Sequence, residues 1–130
     1  MRYLLDTHTL VWAVSDPSKL SVKVRRILEK SSNERLVSAV SVLEMSIKHA
    51  LGKWPEVASF MDEAQYHSDL EQLQAKEFWI GSSHARLAGQ FAQSHKDPFD
   101  RLLAAQAVLE GLPILSKDRV LDTFPVMRVW

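Results

Sequence analysis

Apolar residues recur along this chain in two alternating rhythms. Short unbroken apolar runs closed by polar residues read as strands buried on both faces, and apolar positions three or four apart read as helices. Met1 to Leu5 is the first such run, ended by Asp6, and Thr7 to Val14 is apolar enough for a helix starting at Asp6 or Thr7. Ser15-Asp16-Pro17-Ser18 breaks it. From Ser21 to Lys30, Val24, Ile27 and Leu28 recur among basic residues, which predicts an amphipathic helix. Leu36 to Val40 predicts a second strand. Ser41-Val42-Leu43-Glu44 then has the form of a capping box, Ser at N-cap and Glu at N3, opening a helix to Leu51 that Gly52 closes.

After a turn at Trp54-Pro55, the spacing of Phe60, Met61 and Ala64 predicts a helix over Val57 to His67, continued through Ser68 to Lys76 and ending in a loop. Phe78-Trp79-Ile80 predicts a short strand. Ser82 to Ala92 predicts a helix with Ala85, Leu87, Ala88 and Phe91 inward, followed by a polar loop at Ser94-His95-Lys96. Asp97 is a natural N-cap with Pro98 at N1, and Gly111 ends the helix after Glu110. That helix is apolar on nearly every side, through Leu102, Leu103, Ala104, Ala105, Ala107, Val108 and Leu109, so it is buried. Asp100 stands in its first turn. Leu112 to Ser116 predicts a buried strand with Lys117-Asp118 directly after it, Arg119 to Thr123 a helical turn, and Val126 to Val129 an edge strand.

Strands alternating with helices predict an α/β fold: a parallel sheet of about four to five short strands flanked by helices on both faces. No repeat or low-complexity segment divides residues 1–130, so one domain is expected. A chain of 130 residues buries about two-thirds of its unfolded surface, enough for a core without staples. No apolar run is long enough to cross a bilayer and no signal-peptide pattern opens the chain, so no membrane association is expected. The absence of cysteine excludes disulfides and thiolate zinc sites and fits a cytoplasmic protein. Sixteen basic and sixteen acidic residues cancel, which argues against a general grip on long duplex DNA. Nucleic-acid contact would have to be local or assisted by metal ions.

Candidate chemistry lies in the acids. Asp6 and Asp118 each follow a buried strand, and Glu44 and Asp100 each fall in the first turn of an expected helix. In a parallel sheet these places share one edge, beyond the carboxyl ends of the strands. Two carboxylates about 4 Å apart repel by roughly 4 kcal/mol at an effective dielectric near 20, so a fold that gathers four calls for a cation among them. Oxygen donors alone suit Mg²⁺ or Mn²⁺, which leads to phosphodiester hydrolysis by a metal-activated water. The bland reading of Asp97 and Asp100 is a cap and a first-turn helper, and Asp97 keeps it.

The motifs themselves resemble a known family. Leu5-Asp6-Thr7-His8-Thr9-Leu10-Val11-Trp12 is similar to the opening of a PIN-domain ribonuclease, and Val40-Ser41-Val42-Leu43-Glu44 to its second acidic motif. The stretch from His95 to Ala107 resembles the third, and Ile114-Leu115-Ser116-Lys117-Asp118 the fourth. Order, spacing and length agree with the VapC-type toxins of bacterial toxin–antitoxin pairs. The resemblance implies a three-layer PIN-like sandwich and an Mg²⁺- or Mn²⁺-dependent endoribonuclease acting on RNA. It also implies a homodimer and a cognate antitoxin that blocks the site. By position it implies Asp6, Glu44, Asp100 and Asp118 as a catalytic quartet, with Asp6 and Asp100 as direct metal ligands. Asp118 would bind through water or hold a second ion, Glu44 would ligate or orient the attacking water, and Thr7 and Ser116 would support these groups by hydrogen bonds.

Other residues take plainer readings. The histidines at 8, 49, 67, 84 and 95 show no two-histidine metal spacing, although His8 is near enough to Asp6 to meet substrate. Trp12 and Trp54 read as packing or interface residues rather than base-stacking platforms. Arg101 would bind phosphate or pair with a carboxylate. Two rival functions remain. A non-catalytic PIN-like binding module lacks any need for four acids. A receiver-type phosphoacceptor domain needs paired acids after its first strand, where Asp6 stands alone.

Overall fold

The computed structural model describes residues 1–92 and 95–130. Its sheet has the order β3-β2-β1-β4-β5, and every neighbouring pair is parallel. The strands are β1 (Arg2–Leu5), β2 (Glu34–Ser38), β3 (Ala75–Phe78), β4 (Ile114–Leu115) and β5 (Arg128–Val129). The helices are α1 (Thr7–Ser15), α2 (Val22–Glu29), α3 (Ala39–Ala50), α4 (Glu63–Gln72), α5 (Ser82–Gln90) and α6 (Pro98–Glu110). Short 3₁₀ turns occupy Pro17–Lys19, Pro55–Met61 and Arg119–Thr123. No helix among the described residues is long and apolar enough to cross a membrane.

Strand alternation builds two cores. Successive side chains point to opposite faces, so Leu5, Val37 and Leu115 share one cluster while Leu4, Leu36 and Ile114 share the other. The first is roofed by Leu10 and Val11 of α1, Val24 of α2, Met45 of α3 and Leu70 of α4. The second is roofed by Leu103, Ala104 and Ala107 of α6, with Leu121 and Phe124 beyond β4. The expected three-layer sandwich is therefore present, and α6 is buried as its composition requires. The strand order also departs from the 2-1-3-4-5 order of flavodoxin-like receivers, so the sheet does not match that rival.

Several local expectations are corrected. The helix after β2 starts at Ala39, with Ser38 as N-cap accepting from Val40 N, so the capping box at Ser41 and Glu44 does not form. Glu44 lies in the second turn. The helix expected over Val57 to His67 divides at Asp62, which caps α4 through Gln65 N, and the preceding segment is 3₁₀. The third strand lies at Ala75–Phe78, not Phe78–Ile80: at the sheet edge Lys76 and Glu77 are exposed, which hid the strand from an apolar reading. In α5, Ala88 is buried and Leu87 and Phe91 half-buried as expected, but Ala85 is exposed and His84 takes the inward place. Ser94 of the expected polar loop lies outside the described residues.

One buried cation holds β2 against α2. Arg35 is 4% exposed. Its Nε donates to Leu28 O at 3.0 Å, Nη1 to Asn33 O at 2.8 Å and Nη2 to Lys30 O at 2.9 Å. The guanidinium thus satisfies Leu28 O in the last turn of α2, where a positive charge is favoured, and ties the turn that follows through Lys30 O and Asn33 O. Arg35→Met keeps the apolar stem and removes the donors. It is expected to lower the unfolding free energy by about 2–3 kcal/mol, the scale of charge-assisted hydrogen bonds with buried acceptors. Urea unfolding checks this, and a midpoint within error of the parent would refute it.

Candidate metal centre

The chain leaves β1 towards one side of the sheet and β4 towards the other, so the strand order reverses between them. Ligands gather at such a switch point, beyond the carboxyl ends of the strands. Asp6 ends β1 and caps α1. Its Oδ1 accepts from Thr7 N and its Oδ2 from Ser116 Oγ, both at 2.8 Å. Thr7 Oγ1 donates to Ser41 Oγ at 2.9 Å, and Thr9 Oγ1 to Leu115 O at 2.7 Å. Helices α1 and α3 and the end of β4 are thereby tied around one carboxylate.

Asp100 approaches from α6. Asp97 caps that helix, its Oδ1 accepting from Phe99 N at 2.9 Å. Asp100 Oδ2 and His95 Nε2 are hydrogen-bonded at 2.8 Å. One ligand atom each from His95, Asp97 and Asp100 lie within 4.8 Å of one another. Glu44, buried on α3, accepts from Lys48 Nζ one turn later at 2.5 Å.

Charge binds these pieces into one site. Burial raises the pKa of Asp6; the bonds from Ser116 and Thr7 oppose that rise, and the charge of Glu44 adds to it. Burial likewise pushes Asp100 up to about 6, opposed by the His95 hydrogen bond and aided by the charges of Asp97 and Asp6. Burial disfavours the Lys48 ammonium, but its bond to Glu44 and the charges of Glu44, Asp97 and Asp100 outweigh that and raise its pKa. One ammonium thus faces several acids.

The donor set fits a hard divalent cation. Among the described residues Asp97 and Asp100 offer oxygen and His95 one imidazole within 4.8 Å of one another, while Asp6 and Glu44 lie outside that group and reach it through charge. Asp6 and Asp100 are held above the usual carboxylate range by burial and by neighbouring acids, the condition that a bound cation relieves.

Of the residues expected from sequence, Asp6, Glu44 and Asp100 come close enough for Asp6 to feel the charge of Glu44 and Asp100 that of Asp6. Ser116 supports Asp6 through its hydroxyl, and Thr7 through its backbone N–H. Asp118 is at the same edge but exposed. Its Oδ1 accepts from Val120 N at 3.0 Å, and its own N–H donates to Ser116 Oγ at 3.0 Å, which links it to Asp6 through one hydroxyl. Arg101 donates to the carbonyls of Ala88, Phe91 and His95, and so ties those three residues to the first turn of α6. His95, Asp97 and Lys48 were not expected in the site. Lys48 had a legible signal, four residues after Glu44 on a helix. Asp97 did too, three residues before Asp100. His95 lies in a loop and had none.

The family model described as PIN domain matches residues 3–126. No curated protein is significantly similar to the chain in sequence. Among solved structures, VapBC2 from Rickettsia felis, bound to a DNA fragment from its promoter, has a chain that superposes with a TM-score of 0.71 at 14% identity, covering 99% of this chain and 98% of that one. DNA-bound VapBC from Salmonella typhimurium gives 0.67 at 16% identity, covering 100% and 97%. FitAB bound to the IR36 DNA fragment gives 0.58 at 17% identity, covering 99% and 94%. At these identities the likeness is one of fold.

The Asp100 carboxyl has a consequence for stability. Its folded pKa, about 6, lies above the ordinary 3.8, so the fold favours the protonated form. The associated stability is fully present below about pH 4 and is lost as pH rises through 6. A rise of about two units corresponds to at most about 3 kcal/mol, against roughly 0.3–1 kcal/mol for a carboxylate in the first turn of a helix. Asp100→Asn in EDTA is therefore expected to melt a few degrees above the parent at pH 7, with the gap closing towards pH 4. Saturating Mn²⁺ should shrink or reverse the gap, because the parent gains more from the ion. A variant that melts lower by one constant amount at every pH, with or without metal, would reduce Asp100 to a helix-capping role.

Proposed function

The chain belongs to the PIN-domain family, and from that premise we propose that it is an Mg²⁺- or Mn²⁺-dependent endoribonuclease, the toxin of a toxin–antitoxin pair. The observation that supports the reading is that Asp6, Glu44 and Asp100, from three separate elements, are coupled by charge, Asp6 to Glu44 and Asp100 to Asp6, with the pKa values of Asp6 and Asp100 raised and with His95 and Asp97 grouped beside Asp100. Nothing in a structural cap or a passive binding surface requires that concentration of buried negative charge. Residues 1–130 form the single catalytic domain.

Asp6 and Asp100 would hold the ion, with Asp97 and His95 beside Asp100. A bound divalent ion supplies a lowered water pKa and charge neutralisation at the phosphate. Ser116 and Thr7 fix the Asp6 carboxylate so that both oxygens keep one orientation. Glu44 orients the attacking water, and Lys48 fixes Glu44 from one side. Asp118, tied to Asp6 only through Ser116, is the outer acid of the four.

The structural neighbours are VapBC and FitAB complexes bound to DNA, which supports a protein partner for this chain as well. On this reading the chain is the nuclease half of such a pair, a homodimer that its cognate antitoxin inhibits in the cytoplasm. An antitoxin Arg or Lys set against the buried acids would replace the cation and close the site, since a desolvated ion pair with carboxylate is strong.

Purified protein is expected to cut RNA with Mg²⁺ or Mn²⁺ and not in EDTA. Asp6→Asn and Asp100→Asn should each lower the rate by at least about a hundredfold, the scale of one lost electrostatic contact. Attack of water on phosphorus leaves the RNA 2′-hydroxyl idle, so the products should carry 5′-phosphate and 3′-hydroxyl ends. Mapping the termini tests this: 2′,3′-cyclic phosphate, or full cutting in EDTA, rejects the metal mechanism.

A further inference from the structure

Beside the acids, four aromatic rings meet in series. Trp54 and His8 stack with centroids 4.4 Å apart and planes 27° apart. His8 meets Trp12 at 5.6 Å, and Trp12 meets Trp130 edge-on at 5.9 Å. Two ammonium groups lie over these rings: Lys48 Nζ is 5.5 Å from the Trp54 centroid, and Lys117 Nζ 5.9 Å from that of Trp12. His8 and Lys117 are exposed, and the three tryptophans are half-buried, packed against the core.

The row borders the acid site at three points. His8 follows Asp6 by two residues, Lys48 bonds Glu44, and Lys117 follows Ser116, the donor to Asp6. Core packing alone accounts for the buried sides of the tryptophans. It gives no role to an exposed histidine stacked on one of them, or to Lys117 over the Trp12 ring.

We propose that this row is a subsite for single-stranded RNA, in which unpaired bases extend the His8, Trp54 and Trp12 row at its exposed side while Lys117 pairs with a flanking phosphate and Lys48 stays on Glu44. The inference rests on the nuclease reading above and names its substrate class. Aromatic rings interleaved with cations are the chemistry that holds single strands, because every base has a π-face and every linkage a charge. A duplex is excluded because its bases already stack on one another. The chain's zero net charge fits a grip of this local kind. With Lys117 as the phosphate contact, the dependence of log affinity on log salt is shallow, with a slope of about −0.7.

The test measures binding of the full chain in EDTA, with a fluorescein-labelled uridine nonamer and an RNA hairpin duplex as probes. The nonamer is expected to quench tryptophan fluorescence and to bind at least tenfold tighter than the duplex. Trp54→Leu and Trp12→Leu should each weaken nonamer binding roughly tenfold, the scale of one lost stacked base. Lys117→Ala, a change at an exposed position that the fold tolerates, should flatten the salt slope by about 0.7. Equal binding of nonamer and duplex overturns the proposal, as do folded Trp54→Leu and Lys117→Ala proteins that bind like the parent. If those variants keep RNA binding and instead weaken the antitoxin complex, the row is a protein interface and the proposal falls. Hydrolysis of bis(p-nitrophenyl) phosphate by the parent with Mn²⁺ reads the acid site alone. Diester hydrolysis with unaltered RNA binding in the variants removes the row and keeps the nuclease. Weakened RNA binding in the variants, with no hydrolysis of diester or RNA by the parent in either metal, keeps the row and removes the nuclease.

Discussion

The Asp6 carboxylate is buried where β1 and β4 part, and the arrangement around it depends on that placement. The register that sets Leu5 against Leu115 brings Asp6 N to Leu115 O at 3.1 Å and Ser116 Oγ to the carboxylate at 2.8 Å. A slip of one residue would turn the strand's side chains to the other face and separate Asp6 from Ser116. The same contact fixes the start of α1, since the other carboxylate oxygen caps that helix through Thr7 N. Backbone pairing, helix capping and site chemistry therefore meet in one side chain.

The surrounding charge is arranged against stability. Burial and mutual repulsion both raise the carboxyl pKa values of Asp6 and Asp100, and Lys48 offsets only part of the excess negative charge. A fold under no other demand would place apolar residues there. Local conflict of this kind marks functional sites, where stability yields to chemistry. The buried α6, with Leu103, Ala104 and Ala107 in the core, supplies a support for Asp97 and Asp100, and Arg101 bonds the carbonyls of Ala88 and Phe91.

The aromatic row follows from the same topology. All strands are parallel, so the residues after β1, β4 and β5 emerge on one edge, which is why Lys117 and Trp130 both meet Trp12 of the helix that Asp6 opens. Trp54 joins them after α3 by stacking on His8. The acids at the sheet edge thus have an aromatic and basic flank.

Much of this was legible in the chain. Residues close in sequence decide the apolar runs of β1, β2 and β4, the N-cap and proline that open α6, and the glycine at 111 with φ of 64° that closes it. The acids at 6, 44 and 100 could be assigned to one edge because a parallel sheet has only one carboxyl edge. The rest required distant partners. Ser41 has the look of a cap, but the fold gives its hydroxyl to Thr7, 34 positions away, and Ser38 begins the helix instead. Strand β3 reads as polar because it is an edge, and only its pairing with β2 makes it a strand. His95 joins Asp100, and Trp54 joins His8, through contacts that no periodicity encodes. Helix and strand signals act over a few residues, whereas the partners of a buried charge are chosen by the packing of whole elements, which exists only once the chain has folded.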